Sequence, residues 1–161
     1  MKWVRKITAI VLLFCMSFGT LQASAADELL GTVVDGSLLT EETEVEAIVY
    51  PSLRWSYLSN GTGTLTVTGS RTFRMAGSTT AKSSVDTIKV CMYLQRLVNG
   101  TWSNYYTGPI AAKYNAYYVS STTSSISVAG GYYYRAWGAH VVIEGSASES
   151  VSSYTNGIWV D

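Results

Sequence analysis

The chain has 161 residues, and its 11 Lys and Arg side chains balance 11 Asp and Glu. That length provides for one ordinary domain, and the absence of a clustered basic stripe argues against a nucleic-acid partner. Of its 2 cysteines, Cys15 falls in a segment that reads as an export leader, so Cys91 stands alone in the mature chain and an intramolecular disulfide is excluded.

Residues 1–25 read as a cleavable signal peptide. Lys2, Arg5 and Lys6 form the basic start, 7–18 is apolar, and Ala23, Ser24 and Ala25 supply the small side chains that a signal peptidase pocket accepts. The apolar run is shorter than the roughly 20 residues a membrane span requires. The expectation is a secreted, extracellular protein with no membrane attachment after cleavage. A secreted domain of this size without bridges points to a bacterial source, and to a Gram-positive one.

Residues 26–46 form an acidic N-terminal arm, with Asp27, Glu28, Asp35, Glu41, Glu42, Glu44 and Glu46 and no Lys or Arg. Such a segment reads as a solvated leader to the domain. From residue 47 the texture changes to Tyr, Thr, Ser, Val and Gly, which suits a half-buried pleated surface. Residues 47–161 are therefore expected to form an all-β domain, an antiparallel β-sandwich of immunoglobulin-like type with seven or eight strands. The candidate strands are 47–58, 63–74, 87–98, 101–107, 116–120, 124–129, 132–143 and 147–160. In the third, Ile88, Val90, Met92 and Leu94 alternate with Lys89, Cys91, Tyr93 and Gln95, giving one face to a core and one to water. Asn99-Gly100 is the strongest hairpin signal, because both residues tolerate positive φ. Asn60-Gly61, Gly130-Gly131 and Gly145-Ser146 mark further turns, and 70–84, rich in Ala, Gly, Ser and Thr, reads as a loop.

Two stretches, IKVCMYLQRLVNGTW (88–102) and GYYYRAWGAHVVIEGSASESVSSYTNGIWV (131–160), together resemble a family of small exported Gram-positive proteins classed as a domain of unknown function. The resemblance covers about half of the mature chain and implies export and a β-sandwich, with no activity. The alternation of Tyr132, Tyr134 and Ala136 against Tyr133, Arg135 and Trp137 is loosely similar to a late strand of immunoglobulin-like and fibronectin type III sandwiches, and only the architecture carries over.

No residue set forms a catalytic, cofactor or metal signature. His140 is the only histidine. If Gly145-Ser146 closes a two-residue hairpin, His140 lies across from Val151 and diagonal to Glu149, with Glu144 on the same face, and the three make a candidate polar cluster. One His and two carboxylates fall short of an ordinary transition-metal ligand set, and no G-x-S-x-G element presents a nucleophilic serine. The aromatic side chains are too numerous for one small core, since consecutive residues in a strand point to opposite faces. Trp102, Tyr105, Tyr133, Arg135 and Trp137 are the candidate binding face. The expected function is that of a non-enzymatic extracellular binding module for a glycan or a protein. The alternatives are a self-associating surface or matrix protein that pairs through strand edges, and a small hydrolase using His140 with Glu149.

Overall fold

The computed structural model describes residues 28–161, so the proposed signal peptide lies outside the described residues. Strands take up 72% of what is described, which makes the domain all-β. They are β1 (Val33–Val34), β2 (Ser37–Thr40), β3 (Glu44–Val49), β4 (Leu58–Gly69), β5 (Thr72–Val98), β6 (Thr101–Thr107), β7 (Ala111–Thr122), β8 (Ile126–Ser127), β9 (Tyr132–Glu144), β10 (Ala147–Tyr154) and β11 (Gly157–Val160). The segment expected as an acidic arm thus contributes β1, β2 and the beginning of β3.

In place of a two-sheet immunoglobulin-like sandwich of seven or eight strands, the domain is one curled, mixed, 11-stranded sheet in the form of a half-barrel. The reason is β5. Its first part pairs with β4 from Phe73 to Ala81 and its second with β9 from Thr87 to Arg96, so one strand turns the corner between what would be separate layers. Its ladder with β7 breaks between Thr80 and Val85, where the bend falls. The sheet is mixed because β11 runs parallel to β2 and antiparallel to β9.

Two segments expected as turn or loop are strand, and both owe their composition to close packing. Asn60-Gly61 lies within β4, with Gly61 opposite Thr79. A Cβ on Gly61 would stand 2.4 Å from Cγ and Cδ2 of His140, so the imidazole lies directly on the backbone. Residues 72–84, read as part of a loop, belong to β5. Their small side chains leave room for neighbours: a Cβ on Gly77 would come within 2.2 Å of Met92 Sδ. Composition normally found in loops here thins a strand where large groups press in, from β9 onto Gly61 and from the second half of the bent β5 onto Gly77.

The other turns are as expected. Asn99 and Gly100 have φ of 50° and 76° and join Val98 to Thr101, the geometry of a type I′ hairpin. Gly145-Ser146 closes a two-residue hairpin with Glu144 opposite Ala147. The alternation in β5 also holds: Ile88, Val90, Met92 and Leu94 are sealed in the main core with Phe73, Met75, Tyr134 and Val142. A smaller core of Leu39, Leu97 and Tyr133, flanked by Val34, Trp102 and Trp159, lies on the opposite face of the sheet.

Candidate functional site

The five residues of the expected binding face do not form one exposed surface. Arg135 and Trp137 point outward from β9, away from the main core, and Trp102 on β6 stands across from Leu97 on that side. Arg135 is only 2% exposed. Its Nε donates to Gln95 Oε1 at 2.9 Å, and Nη1 donates to the Asp35 carbonyl and to Ser37 Oγ, both at 2.9 Å. Nη2 pairs with Asp35 Oδ2 at 3.1 Å. The Trp102 and Tyr154 rings lie 4.6 Å from the guanidinium carbon, so the cation is sandwiched between aromatic rings. Burial pulls its pKa below the ordinary arginine value, and Asp35 opposes that shift.

Asp35 reaches this place because Asp35-Gly36, with φ of 47° and 77°, is the tight turn between β1 and β2. The hairpin is also fixed by Trp102 Nε1, which donates to the Val34 carbonyl at 3.0 Å. Tyr133 is buried beside Trp159, at 5.0 Å between ring centroids. Beside the arginine, Trp102, Trp137, Tyr154, Gln95 and Asp35 line an open hollow of about 310 Å³.

Trp137 is held between Tyr93 at 4.3 Å and Tyr154 at 6.3 Å in a near-parallel cross-strand ladder. Tyr105 turns to the other side of the sheet, against Tyr134 at 5.4 Å and under the Arg96 guanidinium. Trp102 and Tyr105 are three positions apart in β6, so alternation itself places them on opposite sides, and the register shift between Leu94 and Gln95 brings Tyr106 to the Leu94 side as well. Alternation alone could not locate that bulge.

The rings left uncommitted are others. Tyr114, Tyr117 and Tyr118 on β7 are 72%, 63% and 41% exposed. Neither they nor Tyr106 takes part in a ring contact, cation contact or side-chain hydrogen bond among the described residues. A signal for β7 existed in the alternation of Tyr114, Ala116 and Tyr118, but the predicted strand began only at residue 116.

His140, Glu144 and Glu149 are not brought together. His140 does lie opposite Val151. It is fully buried, 3.0 Å from Thr79 Oγ1 through Nδ1 and 2.8 Å from Ser153 Oγ through Nε2. Thr79 gives its own proton to the Lys89 carbonyl, so its oxygen accepts from Nδ1–H, and Nε2 must accept from Ser153. Burial pushes the imidazole pKa down to about 4, slightly offset by the Ser78 backbone. A neutral ring with one proton and one lone pair satisfies this slot, and Ser153 is as enclosed as its base.

Glu149 instead caps the chain entering β4, accepting from the amides of Ser56, Tyr57 and Leu58 at 2.7, 3.0 and 2.7 Å. Partial burial raises its pKa, but the three amides and the Lys82 charge outweigh that and hold it below the ordinary glutamate value. Glu144 accepts from the Asp86 amide at 2.8 Å. Among the described residues no three His, Cys, Asp or Glu side chains are grouped to hold a metal ion. Cys91 is buried, its thiol facing the Gly108 carbonyl at 3.5 Å.

Fold and site together define an all-β module in which His140, Arg135 and Glu149 are held in structural networks and Tyr114, Tyr117 and Tyr118 lie free on the surface. Residues 25–158 match the family of unknown function DUF6147, and the chain belongs to that family. The resemblance carried by 88–102 and 131–160 is thereby borne out. No curated protein matches the chain.

Proposed function

We propose that the chain is a secreted, non-enzymatic binding module of a Gram-positive bacterium that meets an extracellular glycan or protein through aromatic side chains on its sheet. The observation that carries this reading is the group of uncommitted rings at Tyr114, Tyr117 and Tyr118. Tyrosines that serve only stability gather into ladders and cation stacks, as Tyr93 and Tyr154 do around Trp137 and Arg135. Leaving three such rings at least 41% exposed on one strand favours recognition. Export is supported by the leader pattern at 1–25.

The hydrolase reading has lost its residue pair, since His140 and Glu149 serve different partners. Self-association through a strand edge is open to β3 and β10 as well as to β6 and β7, each paired with a single neighbour among the described residues, and the longest such edge is that of β7. Yet Pro109, Lys113 and the left-handed Asn115 at φ of 49° interrupt that edge, and such interruptions hinder strand addition. Side chains, more than backbone, are what this edge offers a partner.

The test is retention of the purified mature protein on Gram-positive cell walls and on host extracellular matrix. Replacing Tyr114, Tyr117 and Tyr118 together by Ala should abolish retention while the circular dichroism spectrum stays that of a β protein. Undiminished retention of that variant would remove the reading.

A further inference from the structure

We propose that the outer face of β7, β5, β9 and β10 is a trough for an extended, uncharged glycan chain; the inference rests on the binding-module reading above. Strand register lays out this face in rows. At one end Tyr114, Thr87, Ile143 and Ser148 stand side by side across the four strands. At the other end stand Tyr93, Trp137 and Tyr154. The two rows are six positions apart along β9, from Trp137 to Ile143, roughly 20 Å at the rise of an extended chain. The opposite face of the same strands is the main core, with Ile88, Val90 and Val142 fully buried, so the trough is the solvent side of a rigid layer.

Between its aromatic ends the floor is low. Ala112 and Ser150 are exposed, and Ala139, Val141 and Ser152 are half-buried. Cys91, in the row of Ala139 and Ser152, is buried beside the Gly108 carbonyl, and Lys89 stands between Ala112 and Val141. Ser148, Ser150 and Ser152 point outward at every second position of β10, while Glu149, Val151 and Ser153 point inward. The three outward hydroxyls make no side-chain hydrogen bond among the described residues. They form a column of donors and acceptors about 7 Å apart. Tyr114 at the rim offers a free ring face to a sugar ring.

Charge and composition choose the occupant. Lys89 is the one charged side chain in these rows, so a polyanion would meet a single cation and a polycation none. An uncharged chain carries no unmatched charge here. Protein interfaces, moreover, are depleted in Ser and Ala at their centres and enriched in Tyr, Trp, Met and Arg. This floor has the reverse composition, with its aromatic rings at the two ends. A polyhydroxylated chain matches the serine column and needs the width that small side chains leave.

The experiment is titration of the mature protein with short neutral oligosaccharides of glucose, of galactose and of N-acetylglucosamine, followed by affinity electrophoresis and calorimetry. At least one series should bind. Ser150→Trp, which fills the floor, should weaken it about tenfold or more with an unchanged melting temperature. Ser148→Trp at the exposed end of the column is the second variant should Ser150→Trp misfold. Undiminished binding in a folded variant would overturn the trough. Retention on cell walls or matrix with no affinity for any neutral oligosaccharide would overturn the glycan and leave the binding module standing. No retention on any material would remove both.

Discussion

On the two faces of β9, five residues apart in sequence, the fold buries two basic side chains by opposite means. His140, on the inner face, is enclosed between the hydroxyls of Thr79 and Ser153, with no carboxylate bonded to it among the described residues. Arg135, on the outer face, keeps Asp35, a carbonyl, a hydroxyl, an amide oxygen and two aromatic rings around it. The difference follows from what each group can give up. An imidazole sheds its proton near neutrality and is buried neutral, whereas a guanidinium keeps its charge and must be matched where it lies. The lone histidine, the first residue one would nominate for acid-base chemistry, is therefore the structural one, and no carboxylate was needed to hold it.

The comparison can be broken most severely at His140. His140→Ala empties a sealed slot and leaves Ser153 without its acceptor, and should cost about 3–5 kcal/mol of unfolding free energy, read by urea denaturation. Acid should act on the same residue. The folded-state pKa is about 4 against an ordinary 6.5, so the unfolded chain binds the proton more readily. The stability that His140 contributes is complete above about pH 6.5 and is lost as the pH falls toward 4, a change of roughly 3 kcal/mol. His140→Gln should flatten that part of the stability profile, and an unchanged profile would show that the acid response arises elsewhere.

On the outer face the effects are smaller. Arg135→Lys keeps the charge and loses both the planar fork and the stacking between Trp102 and Tyr154, for about 2 kcal/mol in the same denaturation assay. Asp35→Asn should cost least, about 0.5–1 kcal/mol and less in high salt, because the Asp35 side chain is 78% exposed. Loss on that scale should also loosen the hairpin of β1 and β2, visible as faster amide exchange at Ser37 and Leu39.

Which parts of this were legible beforehand follows from where the cause of each feature resides. The all-β character, the Asn99-Gly100 and Gly145-Ser146 turns and the facing of Ile88, Val90 and Met92 arise from local chemistry, and sequence alone reveals them. The pairing of His140 with Val151 was legible for the same reason, being fixed by the length of one hairpin. The glycines of β4 and β5 carry loop-like composition whose cause lies elsewhere in the fold: the His140 ring of β9 against Gly61, and Met92, from the far side of the bend in β5 itself, against Gly77. The burial of Arg135 was hidden too, since its partner Asp35 is 100 residues away at the tip of another hairpin. The opposite facing of Tyr105 and Trp102, by contrast, was legible in their spacing of three, and only the bulge that brings Tyr106 opposite Leu94 was hidden.

The parallel contact of β11 with β2 has a consequence for how the chain comes to be folded. Leu39 and Thr40 find their partners in Gly157 and Ile158, so the earliest strands of the domain close against the latest. A polypeptide emerging with its N-terminal end first must therefore hold residues 33–40 unseated until nearly the whole domain has been delivered. Assembly is thereby bound to long-range closure, the slow kind. Until that moment Arg135 lacks Asp35 and Ser37 among its partners.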